Sequence, residues 1–404
     1  MNRISIFSCA AVSALTVCGG FLSASESAGS SEPASVPAPA AAQAPAAVQA
    51  SVSASSETFA QKISESAARG IAYLRTVQAE DGSFQSQMGT GLTSIAVIGM
   101  LSNGVPVDDP MLSKAVDYLK SQAQPDGAIV NPGMGFGNYE TSIGVVALAR
   151  ARKAGRTDLD EILKFAERYL RKYQWDESEG LDASDIKFGG AGYGGKMSRP
   201  DLSNTGFMLD ALHELGAGPD DEAVKKAVVF VSRCQGLESE HNTLPFAADS
   251  DGGFVYVIDS QAEGQAKDLP KGLVKSSLST YGSMTYTGFK SLIYAGLTKE
   301  DKRVQTALAW LTDRYSVTEN PGQGEAGLFY YYIAMSRALT AYGVDTFADA
   351  NGTVHDWRAE IVEQLLARQQ EDGSWVNTNR RWMENNPVLV TGYALMVLGN
   401  CQKR

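Results

Sequence analysis

Histidine and cysteine are scarce. Three histidines (His213, His241, His355) and, beyond the first 20 residues, two cysteines (Cys234, Cys401) are all that 404 residues offer to a zinc site or a disulfide. Two cysteines cannot staple a domain of this size, so the fold has to rest on its core. Runs of Lys or Arg are missing as well, and the formal net charge is −11. That argues against nucleic acid or an acidic polymer as the main partner, since either needs a basic footprint. No transmembrane helix is expected once the N-terminal segment is set aside. What the chain has in quantity is hydrophobic residues, 44%, and 40 glycines.

The first 24 residues carry one basic residue, Arg3, then the apolar run from Ile4 to Val17 and a stretch of small residues. This is the pattern of a secretory signal peptide. Leu15-Thr16-Val17-Cys18 resembles a lipoprotein cleavage site, so lipid anchoring through Cys18 stands beside ordinary cleavage, although Val17 is larger than that site usually takes. Residues 25–57 are Ala, Ser and Pro with almost no large apolar group. Such a stretch cannot offset its ordering entropy by burial and reads as a disordered linker. The folded domain is then 58–404, and the expected location is the periplasm or cell envelope.

The domain reads as six copies of one unit: an amphipathic helix, a turn rich in Asp and Gly, and a second helix that opens near a Thr. The first helices carry Tyr73-Leu74, Tyr118-Leu119, Tyr169-Leu170, Phe230-Val231, Trp310-Leu311 and Gln364-Leu365 at one register, and Gln78, Gln174, Gln235 and Gln369 follow at a fixed offset. The turns include Asp81-Gly82, Asp126-Gly127 and Asp372-Gly373, and the second helices open with Thr93, Thr141, Thr205, Thr287 and Thr391. Residues 160–173 place Ile162, Phe165, Ala166, Tyr169 and Tyr173 on one stripe against a charged face, whereas residues 92–101 and 143–149 are apolar nearly all round. One helix type therefore has a wet side and the other has none. Six of each predict an all-α (α/α)6 toroid of helical hairpins in two concentric rings, with all six turns on one face around a central cavity. That geometry also puts Cys234 and Cys401 on opposite faces, too far apart to pair.

The motif Gln369-x-x-Asp372-Gly373-Ser374-Trp375, its echo from Gln78 to Phe84, and the six hairpins together resemble the squalene and hopene cyclases and the protein prenyltransferase β subunits, over roughly residues 60–400. The resemblance implies the toroid, an isoprenoid-like ligand and, if the chain is an enzyme, cyclase or transferase chemistry. At the position where hopene-type cyclases carry Pro-Asp-x-Asp-Asp-Thr, this chain reads Pro200-Asp201-Leu202-Ser203-Asn204-Thr205. Asp201 survives as the candidate catalytic acid, but the proton-donating middle Asp is Ser203, which cannot protonate an alkene. Prenyltransferases hold zinc with Asp, Cys and His, and no such set stands at the helix starts here, so neither metal nor cofactor is expected.

The expected rim supplies the remaining candidates: Tyr139, Glu140, Arg199, Asn204, Tyr286, Glu325, Trp382 and Asn386 as ligand-binding residues. Asp201 has a second reading as the N-cap of its helix. The primary functional expectation is an exported protein that binds an apolar or amphipathic ligand in its central cavity and lacks the usual cyclase and zinc chemistry. The alternatives are a non-catalytic cell-envelope interaction protein that meets a protein or glycan, and a polysaccharide-degrading enzyme using a pair such as Glu140 and Glu325. Residues 236–282 form the longest connection and suggest a lid. Asp249-Ser250-Asp251-Gly252 there reads as a turn into a short alternating strand over 254–258 rather than as a calcium loop.

Overall fold

The computed structural model describes residues 46–133, 135–194, 199–248, 251–258 and 278–402, with side chains from residue 59 onward. The expected signal peptide, Cys18 and most of the expected linker lie outside the described residues, as does the centre of the 236–282 connection. In chain order the hairpins are α1 (Ala46–Val77) with α2 (Gly91–Ser102), α3 (Pro110–Ser121) with α4 (Gly137–Lys153), and α5 (Asp160–Lys172) with α6 (Leu202–Glu214). They continue with α7 (Glu222–Arg233) and α8 (Gly282–Tyr294), α9 (Lys302–Asp313) and α10 (Leu328–Tyr342), and α11 (Trp357–Arg368) and α12 (Pro387–Cys401). α1 begins inside the stretch read as linker, where alanines, the strongest helix formers, are frequent.

The even-numbered helices form a closed inner ring. Each packs on the next from α2 to α12, and α12 returns to α2. Every residue of α2 from Gly91 to Met100 is buried, as a helix that is apolar all round requires. The odd-numbered helices stand outside and bury one stripe. In α5 that stripe is Leu163, Ala166, Tyr169 and Leu170. Phe165, expected on it, is instead 43% exposed beneath the Arg168 guanidinium, because the buried arc is rotated toward Leu163 and Leu170.

The repeated residues are joints of the ring. Gln78 donates to the Gly82 carbonyl of its own turn and to the Met111 carbonyl of the next outer helix. Gln174 does the same for Gly189 and Ala223, and Gln235 for Gly252 and Arg303. Gln369 bonds Gly373 and Ser66, which closes the outer ring onto α1. The turn glycines lie against the neighbouring outer helix: at Gly189 (φ 84) any Cβ would collide with the Lys226 carbonyl, and at Gly373 (φ 88) with that of Arg69. The repeated Thr hydroxyls accept turn amides, Phe84 to Thr93, Ile129 to Thr141, Ala191 to Thr205 and Trp375 to Thr391. In the fourth hairpin this Thr is Thr285, which accepts from Phe254, and not Thr287 as the register of the sequence suggests. Thr287 bonds the Ser283 carbonyl one turn back in its own helix.

Two smaller expectations need revising. Residues 254–258 are not a strand: Phe254 makes a single antiparallel bridge to Gln235 and the segment is buried on both sides. The only paired strands among the described residues, β1 (Phe347–Ala348) and β2 (Val354–His355), form a small hairpin between α10 and α11. Cys234 and Cys401 are both buried and are not joined in a disulfide. Trp375 is a packing residue, fully buried, with its indole N–H donated to the Leu365 carbonyl.

Candidate functional site

The six inner-helix N-termini converge on the turn face, and each brings backbone N–H groups that need acceptors. Neighbouring hairpins supply most of them. Glu140 accepts from Thr90 N at 3.1 Å and from the Thr90 hydroxyl at 3.0 Å, capping α2 from the second hairpin. The Tyr193 carbonyl accepts from Asn138 N at the start of α4, and the Tyr256 carbonyl from Leu202 N at the start of α6. Asn320 accepts from Ser283 N in α8, and Glu384 from Tyr330 N at 2.8 Å in α10. Asn386 caps its own helix α12 and donates to Gln85 of the first hairpin at 2.7 Å, completing the circle.

Carboxylates stand at alternate helices: Glu140 at α2, Asp201 at α6 and Glu384 at α10. All three are buried, at 2%, 2% and 1% exposure. Asp201 accepts from Asn204 N at 2.8 Å and from the Asn204 side-chain amide at 2.7 Å, and its carboxyl is also bonded by Tyr256. Its acceptor sites are occupied by the cap. Burial outweighs these bonds and pushes its carboxyl up to about 6, and burial likewise raises Glu140 and Glu384.

This sets a pH dependence. A carboxyl near 3.8 when unfolded and near 6 when folded takes up a proton on folding between those values. Stability therefore falls as pH rises through this window and is flat above it. Asp201→Asn keeps a good N-cap residue and cannot titrate. Its stability relative to the parent protein should therefore improve by about 2.4 kcal/mol between pH 4 and pH 7.5. Urea unfolding at both values measures this, and a difference independent of pH would mean the carboxyl is not desolvated.

The other expected site residues divide in two. Tyr139, Arg199, Glu325, Trp382 and Asn386 reach the rim; Glu325 is exposed, with its carbonyl accepting from Asn377. Glu140 and Asn204 are buried in the caps, and Tyr286 is 1% exposed, packed on Tyr331 between α8 and α10, so it does not reach the face. Of the expected pair, Glu140 is buried with Oε2 accepting from Thr90, whereas Glu325 is exposed. Ser203 bonds the Tyr330 hydroxyl at 3.0 Å. Glu384, Asn320 and Tyr193 went unnoticed in the sequence because their partners lie in another hairpin.

Aromatic side chains cover the mouth. Phe136 and Tyr193 meet edge to face at 5.4 Å, Tyr193 lies 5.9 Å from Tyr139 and bonds Tyr256, and Tyr281 stacks on Trp382 at 6.4 Å and 12°. Phe136, Tyr193, Trp382 and Met383 are 41%, 39%, 46% and 40% exposed. Trp382 and Met383 both hold left-handed φ values, 54° and 63°. Strain of this kind costs on the order of 1–3 kcal/mol per residue and persists only where the surroundings impose it. Here Trp382 lies over Gly327, a position where any Cβ would strike its ring, with Arg381 4.4 Å from the ring centroid.

Below the mouth the axis is filled. Ile95, Ile98, Ile143, Val146, Phe207, Tyr330, Ile333, Tyr393 and Met396 leave a cavity of about 20 Å³. That is room for about one water and far too little for a polyene. At its lower end Asp210, 2% exposed, bonds Lys290 at 2.5 Å and Arg337 at 2.6 Å. Burial brings Lys290 down to about 8. Among the described residues no group of His, Cys, Asp and Glu is arranged to hold a metal ion. His213 stacks on Tyr294 at 4.0 Å, and His355 bonds Glu360 at 2.7 Å.

No protein-family model and no curated protein matches the sequence. Solved structures match the fold. A variant of the type II terpene cyclase MstE from Scytonema, in complex with geranylgeranyl dihydroxybenzoate, aligns with a TM-score of 0.54 at 13% identity, over 86% of this chain and 99% of that one. The unliganded cyclase gives 0.52 at 14%, over 85% and 98%. An inactive variant of α-1,6-mannanase GH76A of Salegentibacter sp. HEL1_6, in complex with α-1,6-mannotriose, gives 0.54 at 11%, over 84% and 100%. At such identities the likeness establishes the fold alone: the chain is an (α/α)6 toroid, an architecture these cyclase and mannanase structures share.

Proposed function

We propose that the protein is an exported, non-catalytic binding module whose turn face takes up a glycan. The observation that carries this reading is the exposed aromatic band over a mouth that leads to no open axis. An isoprenoid needs an apolar chamber along the axis, and the side chains leave about 20 Å³ there. A glycosidase needs two carboxyl groups facing a shared bond at roughly 5–9.5 Å. Glu140 through Oε2, Asp201 and Glu384 are instead buried acceptors for helix starts. What remains accessible is Phe136, Tyr193 and Trp382, with the amide of Gln323 and the guanidinium groups of Arg199 and Arg381. Aromatic surface interrupted by a few polar groups suits a ligand with both apolar faces and hydroxyls. The mannanase with the same fold holds α-1,6-mannotriose, so the architecture is compatible with sugar ligands.

Screening the purified protein on a glycan array, then measuring the hits by calorimetry, tests the reading. Tyr193→Ala should weaken binding at least ~10-fold, about 1.4 kcal/mol, without lowering the melting temperature. No reducing ends should appear on prolonged incubation. An empty array would sink the proposal, and so would an isoprenoid lipid retained in native mass spectrometry.

A further inference from the structure

We infer that the glycan carries isolated carboxylate groups and that Arg381 reads them; this rests on the glycan reading above. Arg381 stacks on Trp382 with its guanidinium carbon 4.4 Å from the ring centroid. Stacking uses the face of the guanidinium and leaves its in-plane N–H fork to meet an oxyanion bidentately. The fork is not claimed by a carboxylate: among the described residues its side-chain hydrogen-bond partner is the Gln323 carboxamide at 3.4 Å, and Arg381 makes no ion pair. The backbone beneath is held in place, since Trp382 is wedged over Gly327 and stacked on Tyr281. Arg381 and Arg199 act on one cluster, because the first lowers the pKa of Tyr281, the second that of Asp201, and Tyr281 and Asp201 feel each other. Six inner-helix N-termini add positive ends at the same face.

The chain as a whole is acidic, with net charge −11, which argues against a polyanion. The two observations are compatible because fields from exposed charges decay over about 8 Å at physiological salt. A single uronate meets only the local arginine, whereas a polyuronate would also meet the acidic periphery. A sugar chain with sparse carboxylates is therefore the class that fits.

The glycan array separates the possibilities when neutral oligosaccharides are compared with the same oligosaccharides bearing one uronic acid, with polygalacturonate and a glutamate-rich peptide spotted alongside. The uronate-bearing members should bind at least ~10-fold tighter than their neutral twins, polygalacturonate more weakly than either. Arg381→Gln should erase the uronate gain, so that each acidic oligosaccharide and its neutral twin bind alike, and Arg381→Lys should restore only part of it. Equal affinity for the twins, or a gain that survives Arg381→Gln, overturns the inference and leaves the glycan reading standing. Polygalacturonate binding tightest overturns the sparse-acid part. Arg381-dependent binding of the peptide with no glycan bound overturns both and assigns the face to a protein partner.

Discussion

Asp210→Asn should cost about 3–5 kcal/mol of stability at pH 6, the usual result of removing one partner from a buried ion group. Asp210 faces Lys290 and Arg337 deep in the ring, with side-chain exposures of 2%, 5% and 11%. Without the carboxylate two cations remain in a low-dielectric interior. Lys290 offers a partial escape. Its folded pKa, about 8, already lies below the ordinary value of 10.5 because it is buried, and losing Asp210 lowers it further. A lysine lowered on folding binds fewer protons in the folded state, so stability rises with pH between its folded and unfolded values. In the variant that rise starts at a lower pH than in the parent protein. The deficit should therefore narrow between pH 6 and about pH 8 and hold steady above, where both proteins gain in parallel. Denaturant unfolding across pH 6 to 9.5 measures this directly. Asp210→Asn combined with Lys290→Met should recover part of the loss, because the pair is coupled. A cost below about 1 kcal/mol at every pH would mean that water reaches the group and screens it.

This ion group also marks the limit of what the sequence discloses. Asp210, Lys290 and Arg337 each interrupt an otherwise apolar inner helix, which is a readable sign, but nothing local says that three charges more than 40 residues apart meet on one axis. The ring itself is legible because its joints repeat and are short in range: Gln78 with Gly82, or Phe84 with Thr93, are bonds within one turn. The mouth is legible in part. Asp201 bonds Asn204 three residues on, so its capping role follows from position. Glu384 caps a helix that starts 56 residues earlier at Leu328, and in the sequence it is one more acidic residue in a loop. The filled axis is not legible at all. A helix that is apolar all round must be buried, but whether its inward residues line a chamber or close it depends on the lengths of side chains from different helices around one axis, such as Met396 and Tyr330.

Trp375→Ala should cost about 3–5 kcal/mol, the range for truncating a fully buried tryptophan, and its effect should concentrate at the seam where the first and last hairpins meet. The indole is completely buried, donates to the Leu365 carbonyl at 2.8 Å, and lies against Gly70 of α1, where a Cβ would strike its ring. Truncation opens a cavity between α1 and α11, leaves a buried carbonyl without its partner, and unseats the turn whose Gln369 clasps Ser66. Those contacts join residues some 300 positions apart, so they close the ring rather than stabilise any one hairpin. Closing a loop that long costs only logarithmically more entropy than closing a short one, so a few well-packed contacts hold the seam. Hydrogen exchange should therefore accelerate most in α1 and at the start of α12, with α4 to α8 nearly unchanged at early times. Trp375→Phe, which keeps an aromatic ring but loses the N–H bond and part of the indole's volume, should cost less, about 1–3 kcal/mol, and leave the seam closed. If Trp375→Ala instead speeds exchange uniformly around the ring, the toroid unfolds as one unit and the seam is no weaker than any other joint.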